Sequence, residues 1–310
     1  MANETIDALL LELTDPSLAR PLPPAIATAR TDIFAAARDL LAIPEAALEL
    51  PWTWIAGGES EVRYGAYRAV EALEQAEIQA RTLATPADAH ERRAAGIVGP
   101  STAARWDLHG LLLPLADELL DADPGGAEWS IRLVMGHLIA GQRGYAWTAA
   151  WVQAHGPDPD DPGRQVLVPE SFWDSMPDEA TTEAAGTVDD LRARLDAITD
   201  LAAERLAGLP DDRLEIPTRW SGFPVPLSFR FGRWSSHIRE HTIQVEKTLA
   251  LLGHVPGEPE RLVRLVLAAY GRAESVVFGR VGVDHAVDRV VIGAAEARAA
   301  VSKARRSAEA

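Results

Sequence analysis

The chain has 310 residues, 47% hydrophobic and 25% charged, the balance of a soluble globular protein with room for one large domain or two modest ones. Its formal charge of −16 argues against a nucleic-acid partner, because that binding depends on Lys and Arg neutralising phosphates. Cysteine is absent, which excludes disulfides, thiolate ligands and a cysteine nucleophile and leaves His, Asp and Glu as the strong metal ligands.

No apolar run is long enough for a membrane span, and the first residues, MANETIDALLLELTDPSLARP, lack the basic start and small-residue cleavage site of a signal peptide. A cytoplasmic protein without a membrane partner is expected, a monomer or a homodimer acting on a small molecule.

Taken in chain order, almost every periodic segment reads as helix. In residues 28–43, Ile33, Ala36, Ala37, Leu40 and Leu41 recur at three and four, and in 59–83 Val62, Tyr67, Val70, Leu73 and Ala76 do the same. STAARWDLHGLLLPLADELL predicts a helix capped at Ser101 or Thr102 and running to Leu120. A turn, DADPGGAEWS, leads into a long helix with Ser130 as N-cap. Residues 155–177 are rich in Pro, Asp and Gly and predict a loop, of the length that encloses a site, which with Phe172 and Trp173 would form part of a substrate's enclosure. Thr187 caps the next helix, with Asp189 and Asp190 in its first turn and Gly208 and Pro210 at its end. A fourth helix follows LEIPTRWSGFPVP and stops at Gly253; helical segments 258–278 and 284–305 finish the chain.

Two helical hairpins between 101 and 253 make an all-α, up-down-up-down four-helix bundle the expected fold. The expected division is 1–95 as an N-terminal helical hairpin, 96–255 as the bundle, and 256–310 as an extension packing with the N-terminal part. LELPWTW before EVRYGAYRAVEALEQAE also echoes LEIPTRW before SFRFGRWSSHIREHTIQ. This half-repeat sets Val70 opposite His237 and Glu74 opposite His241.

Eight histidines are present, and SSHIREH places His237 and His241 one helical turn apart on one face. Chance alone yields roughly 0.2 such pairs by template counting, so the spacing is suggestive only with a third ligand. His137 supplies it, on an apolar stretch of the second bundle helix. Gly136, Gly141 and Gly144 lie nearby, each costing about 1 kcal/mol against alanine within a helix. Gly141 and Gly144 fall on the face of His137, where they would leave volume for a substrate or admit a close neighbouring helix. Three neutral imidazoles suit a divalent ion such as zinc or nickel. His90, His155 and His254 sit in polar or Pro/Gly-rich segments, and His109 and His285 have no partner at ligand spacing.

WSIRLVMGHLIAGQRGYAW and GRWSSHIREHTIQVEKTL, about 100 residues apart, resemble the histidine-bearing second and fourth helices of the DinB-like superfamily of metal-binding four-helix bundles. The resemblance covers roughly residues 100–253 and implies a metal triad of His137, His237 and His241. Relatives include thiol S-transferases and mycothiol-dependent maleylpyruvate isomerases. The HxxxHxE pattern of the related iron-dependent sulfoxide synthases is broken here by Ile243, and the carboxylate that often replaces one histidine in the isomerase subgroup is absent.

The resemblance implies a metal-dependent transferase, with a low-molecular-weight, mycothiol-like thiol as cosubstrate. The competing readings are a hydrolase with metal-activated water, for which Glu240 is the nearest carboxylate in sequence, and a non-catalytic helical protein that binds a small ligand. Arg233 and Trp234, one turn before His237, are candidates for substrate contact, with Gly141, Gly144 and Tyr145 on the facing helix; packing and surface charge are the ordinary alternative for such residues.

Overall fold

The computed structural model describes residues 22–55, 58–84, 93–278 and 282–310. His90, the remainder of 1–21 and 85–92 in the N-terminal part, and the Phe172 side chain lie outside the described residues. The fold is all-α, with about 70% of the chain helical. Its long helices are α1 (Pro24–Leu41), α2 (Tyr64–Ala84), α3 (Arg93–Leu112), α4 (Ile131–His155), α5 (Val188–Leu206), α6 (Leu227–Leu251), α7 (Glu258–Val277) and α8 (Asp284–Ala308). Among these, no helix is long and apolar enough to cross a membrane.

The described residues fall into two compact units. One contains residues 116–252 together with the start of α3, up to Ser101. The other contains 21–88, 102–115 and 253–310.

Within the first unit, α4 is the central element and packs against both α6 and α5. Its start is fixed by Ser130, whose Oγ accepts from the Leu133 amide at 3.4 Å. A reciprocal capping box starts α5: Thr187 Oγ1 accepts from the Asp190 amide at 3.2 Å while Asp190 Oδ2 accepts from the Thr187 amide at 2.9 Å. Gly253, at φ +76°, ends α6 in the left-handed region that glycine adopts without penalty.

Two expectations change. Helix α3 begins at Arg93 and runs through Pro100, so Ser101 bonds back to the Val98 carbonyl at 2.7 Å instead of capping a helix. It stops at Leu112 because Pro114 lacks a backbone donor and disfavours helix at the residue before it. LEIPTRWSGFPVP, read as a connection, forms an antiparallel hairpin of β3 (Pro217–Trp220) and β4 (Phe223–Pro226), with Trp220 paired to Phe223. Its turn is Ser221-Gly222, both at positive φ, the geometry that two-residue hairpin turns require. The three prolines mask these strands from a propensity reading.

In the second unit, α8 packs along α2 and α1, and α7 packs against the same two helices. The α8–α2 approach is close because small residues face each other: a Cβ on Gly293 would fall 2.5 Å from Ala76 Cβ, and one on Gly65 would fall 2.3 Å from Ala304 Cβ. A hairpin of β1 (Pro51–Thr53) and β2 (Glu59–Glu61) precedes α2, as the β3–β4 hairpin precedes α6. The local order of short helical turn, hairpin and long helix therefore occurs twice.

The core of this unit holds a charge cluster. Glu274, fully buried, accepts from Arg30 Nε at 3.0 Å and Nη2 at 2.7 Å, and from Arg105 Nη2 at 2.9 Å. Burial alone would raise the Glu274 pKa, but the two guanidinium groups outweigh it and hold the carboxyl below its ordinary value. Its contribution to stability is full above the ordinary carboxylate range and is lost as pH falls through the lowered pKa. Stability of this unit, followed by denaturant unfolding, is therefore expected to decline on the acid side. Glu274→Ala, which strands two buried cations, is expected to cost about 3–5 kcal/mol at neutral pH.

Candidate metal centre

Helices α4 and α6 lie against each other, and their separation is set by Gly141. A Cβ at that position would fall 2.5 Å from Cε1 and 3.0 Å from Nδ1 of His237, too close for any side chain. The space beside Gly141 is thus filled by the His237 ring and is not open to a substrate. A second glycine acts similarly on another flank of α4: a Cβ on Gly136 would meet Glu179 O and Ala184 Cβ, each at 2.7 Å. Gly144 is in ordinary contact with the loop, its notional Cβ lying 3.4 Å from Trp173.

This approach gathers three imidazoles. One ring nitrogen from each of His137, His237 and His241 lies within 4.8 Å of one from each of the others. The Nε2 atoms of His237 and His241 are 2.9 Å apart. The ring of His137 lies 5.4 Å from that of His237 and 4.9 Å from that of His241. Trp129 closes one side, its ring edge-on to His137 at 5.3 Å and its carbonyl accepting from Thr248 Oγ1 on α6 at 3.2 Å.

The outer nitrogens of two rings are anchored. His241 Nδ1 lies 2.8 Å from Gln244 Oε1, and His137 Nδ1 lies 3.1 and 3.2 Å from the two oxygens of Glu179. Donation from Nδ1–H in both cases selects the tautomer that leaves Nε2 with its lone pair, the arrangement seen when carboxylates and amides orient metal-ligating histidines. Burial, reinforced by the other two histidines, pushes the His237 pKa down to about 3. Burial likewise lowers His241, against a smaller opposing effect of Gln244. Both rings are therefore neutral at pH 7. The donor set fits a divalent ion of zinc or nickel type: three neutral nitrogens, with two neighbouring lone pairs that need a proton or a cation between them.

Glu179 belongs to a single π-helical turn, Glu179–Glu183, and α4 holds that turn in place. The buried Glu183 carboxylate is paired by Arg143, through Nε to Oε1 and through Nη2 to Oε2 at 3.2 Å. Arg132 donates to the carbonyls of Ala184 and Gly186 at 2.8 and 2.7 Å. With Gly136 admitting the backbone between them, these contacts set Glu179 beside His137.

The remaining residues marked from sequence divide. Trp234 is core: it is 2% exposed, stacks on Phe231 at 5.2 Å, and its carbonyl accepts from Gln142 at 3.2 Å. Arg233 sits near the triad but is engaged by Glu240 through two bonds of 2.8 Å. Tyr145 is 5.4 Å from the His237 ring and 5.6 Å from Trp220. Burial raises its pKa, while Arg233 beside it opposes the shift. Sequence reading missed Glu179, Gln244, Trp129 and Trp220. Of these, Gln244 alone carried a usable signal, as it lies one turn beyond His241.

Gly141→Ala is expected to force His237 and α4 apart. It should destabilise the protein by about 1–3 kcal/mol, the usual cost of overpacking, and weaken zinc binding in competition with a chromogenic chelator.

No curated protein and no solved structure matches this chain. Residues 102–245, which include all three histidines, match the family model of the DinB superfamily. That match identifies residues 102–245, a little under half of the chain, as a DinB superfamily region.

Proposed function

We propose that this protein is a divalent-metal-dependent enzyme that activates a low-molecular-weight, mycothiol-like thiol for attack on a small electrophile. The observation that carries the reading is the convergence of His137, His237 and His241 with their outer nitrogens anchored, in a region whose superfamily is commonly metal-binding. These three residues would hold zinc or nickel. When bound there, the ion supplies Lewis acidity that lowers the pKa of a coordinated thiol into the neutral range.

The absence of cysteine is compatible with sulfur chemistry, and the state of the nearby carboxylates favours it over hydrolysis. The chain contains no cysteine, so a sulfur nucleophile would arrive on the cosubstrate. The carboxylates nearest the triad are both committed. Glu240 is held below its ordinary pKa, chiefly by the hydrogen bond from Arg233, and Glu179 is held on His137. Neither is disposed to take a proton from water. Trp129, partly exposed and edge-on to His137, would help exclude water from a bound thiol.

Protein purified without a metal-binding tag is expected to carry, or to take up, close to one zinc or nickel ion per chain by mass spectrometry. His137→Ala and His237→Ala should lose it while the far-ultraviolet dichroism of the helices persists. A wild-type protein that stays metal-free after incubation with both ions would refute the reading. Glu179→Gln should keep the ion but bind it about 10–100-fold more weakly, the usual effect of removing an outer-shell carboxylate.

A further inference from the structure

Helix α6 carries two arginines on the approach to the triad, and they differ in one respect. Arg233 is neutralised by Glu240. Arg230, one turn earlier, has no carboxylate placed against it among the described residues. Its contacts are the Arg219 carbonyl, which accepts from Nη2, and the face of Trp220, 5.4 Å from Cζ. Its Nε is buried with no hydrogen-bond partner. Burial lowers its pKa, yet an arginine remains charged across the physiological range.

A half-buried cation without a counter-ion is costly, and a ligand anion removes that cost. The position is also directed. Arg230 precedes His237 by seven residues, two helical turns on the same face and about 10 Å along the axis. The ring of Trp220 contacts both Arg230 and Tyr145, and Tyr145 in turn contacts His237, so an aromatic path joins the cation to the triad. The β3–β4 hairpin supplies Trp220 at its tip, as part of the same construction.

We propose that Arg230 is the substrate-anchoring residue of this site, and that the ligand is a small molecule with an oxyanion, carboxylate or phosphate, about 10 Å from its reactive end. The guanidinium pairs with the oxyanion, Trp220 holds the guanidinium plane, and the Tyr145 hydroxyl offers a further donor. The reactive end then lies at the histidines. Its placement there rests on the metal-centre reading above, whereas the anion contact rests on Arg230 itself.

The test uses two thiols of equal length, 6-mercaptohexanoate and 6-mercaptohexanol, titrated by calorimetry into the full chain, both zinc-loaded and chelator-treated. The acid is expected to bind the wild type about tenfold or more tightly than the alcohol, the scale of one charge-assisted hydrogen-bonded pair. In Arg230→Met the ratio should fall to about one with alcohol binding unchanged, and Arg230→Lys should restore part of it; dichroism and zinc content of both variants should match the wild type. A ratio near one in the wild type, an undiminished ratio in Arg230→Met, or no detectable binding of the acid would overturn the proposal. If zinc does not bind, the metal reading fails, and the acid-to-alcohol ratio in the chelator-treated protein still decides the role of Arg230.

Discussion

The candidate centre depends on how closely two helices can approach. Helix α6 brings an imidazole against the backbone of α4 at Gly141, where no other residue leaves room for the ring. Without that contact, His237 could not sit between His241 on its own helix and His137 on the other. Glycine in a helix interior costs about 1 kcal/mol against alanine, and here the close approach gives a reason for it. Gly136 repeats the logic toward the π-helical turn, so that α4 is narrowed on two flanks, one for a ligand and one for the residue that orients a ligand.

That orienting function has its own support. Glu183 is buried and would be unfavourable alone, but Arg143 pairs with it through two bonds, and Arg132 occupies the carbonyls that follow. The ion pair matters less for its net energy, which desolvation reduces, than for fixing where the turn lies. Glu179 then meets His137 at hydrogen-bond distance and determines which ring nitrogen keeps its lone pair. Gln244 does the same for His241 with a neutral amide, and needs only the periodicity of α6 to reach it.

Charge is distributed unevenly in both units. In one, two arginines share the single carboxylate of Glu274 in a core of aromatic side chains. In the other, Arg143 and Arg233 each have a carboxylate, and Arg230 lies against an indole and a carbonyl. The recurrence of a hairpin before α2 and before α6 gives the two units a common local grammar, but their residues diverge where chemistry would occur. In the sequence alignment of the two segments Val70 and Glu74 fall opposite His237 and His241, and Glu74 pairs with Arg272.

Much of this was written locally. Periodicity specified the helices, Ser130 and Thr187 their starts, and the four-residue interval of SSHIREH the shared face of two histidines, because each depends on neighbours within a turn or two. His137 could be chosen from its apolar setting and the glycines around it. The extent of α3 could not be read from its apparent serine cap, since Pro100 is accommodated inside the helix and Pro114 ends it. The β3–β4 hairpin was hidden by its prolines. Glu179 lies 42 residues from His137, and nothing local marks it among the many exposed glutamates. Trp234, which periodicity set beside the histidines, was drawn into the core by Phe231, and Arg233 was taken by Glu240 two turns away. Local sequence determined which residues share a helical face; the packing of α4, α6, the hairpin and the π-helical turn decided which of them meet, because those distances depend on contacts between segments far apart in the chain.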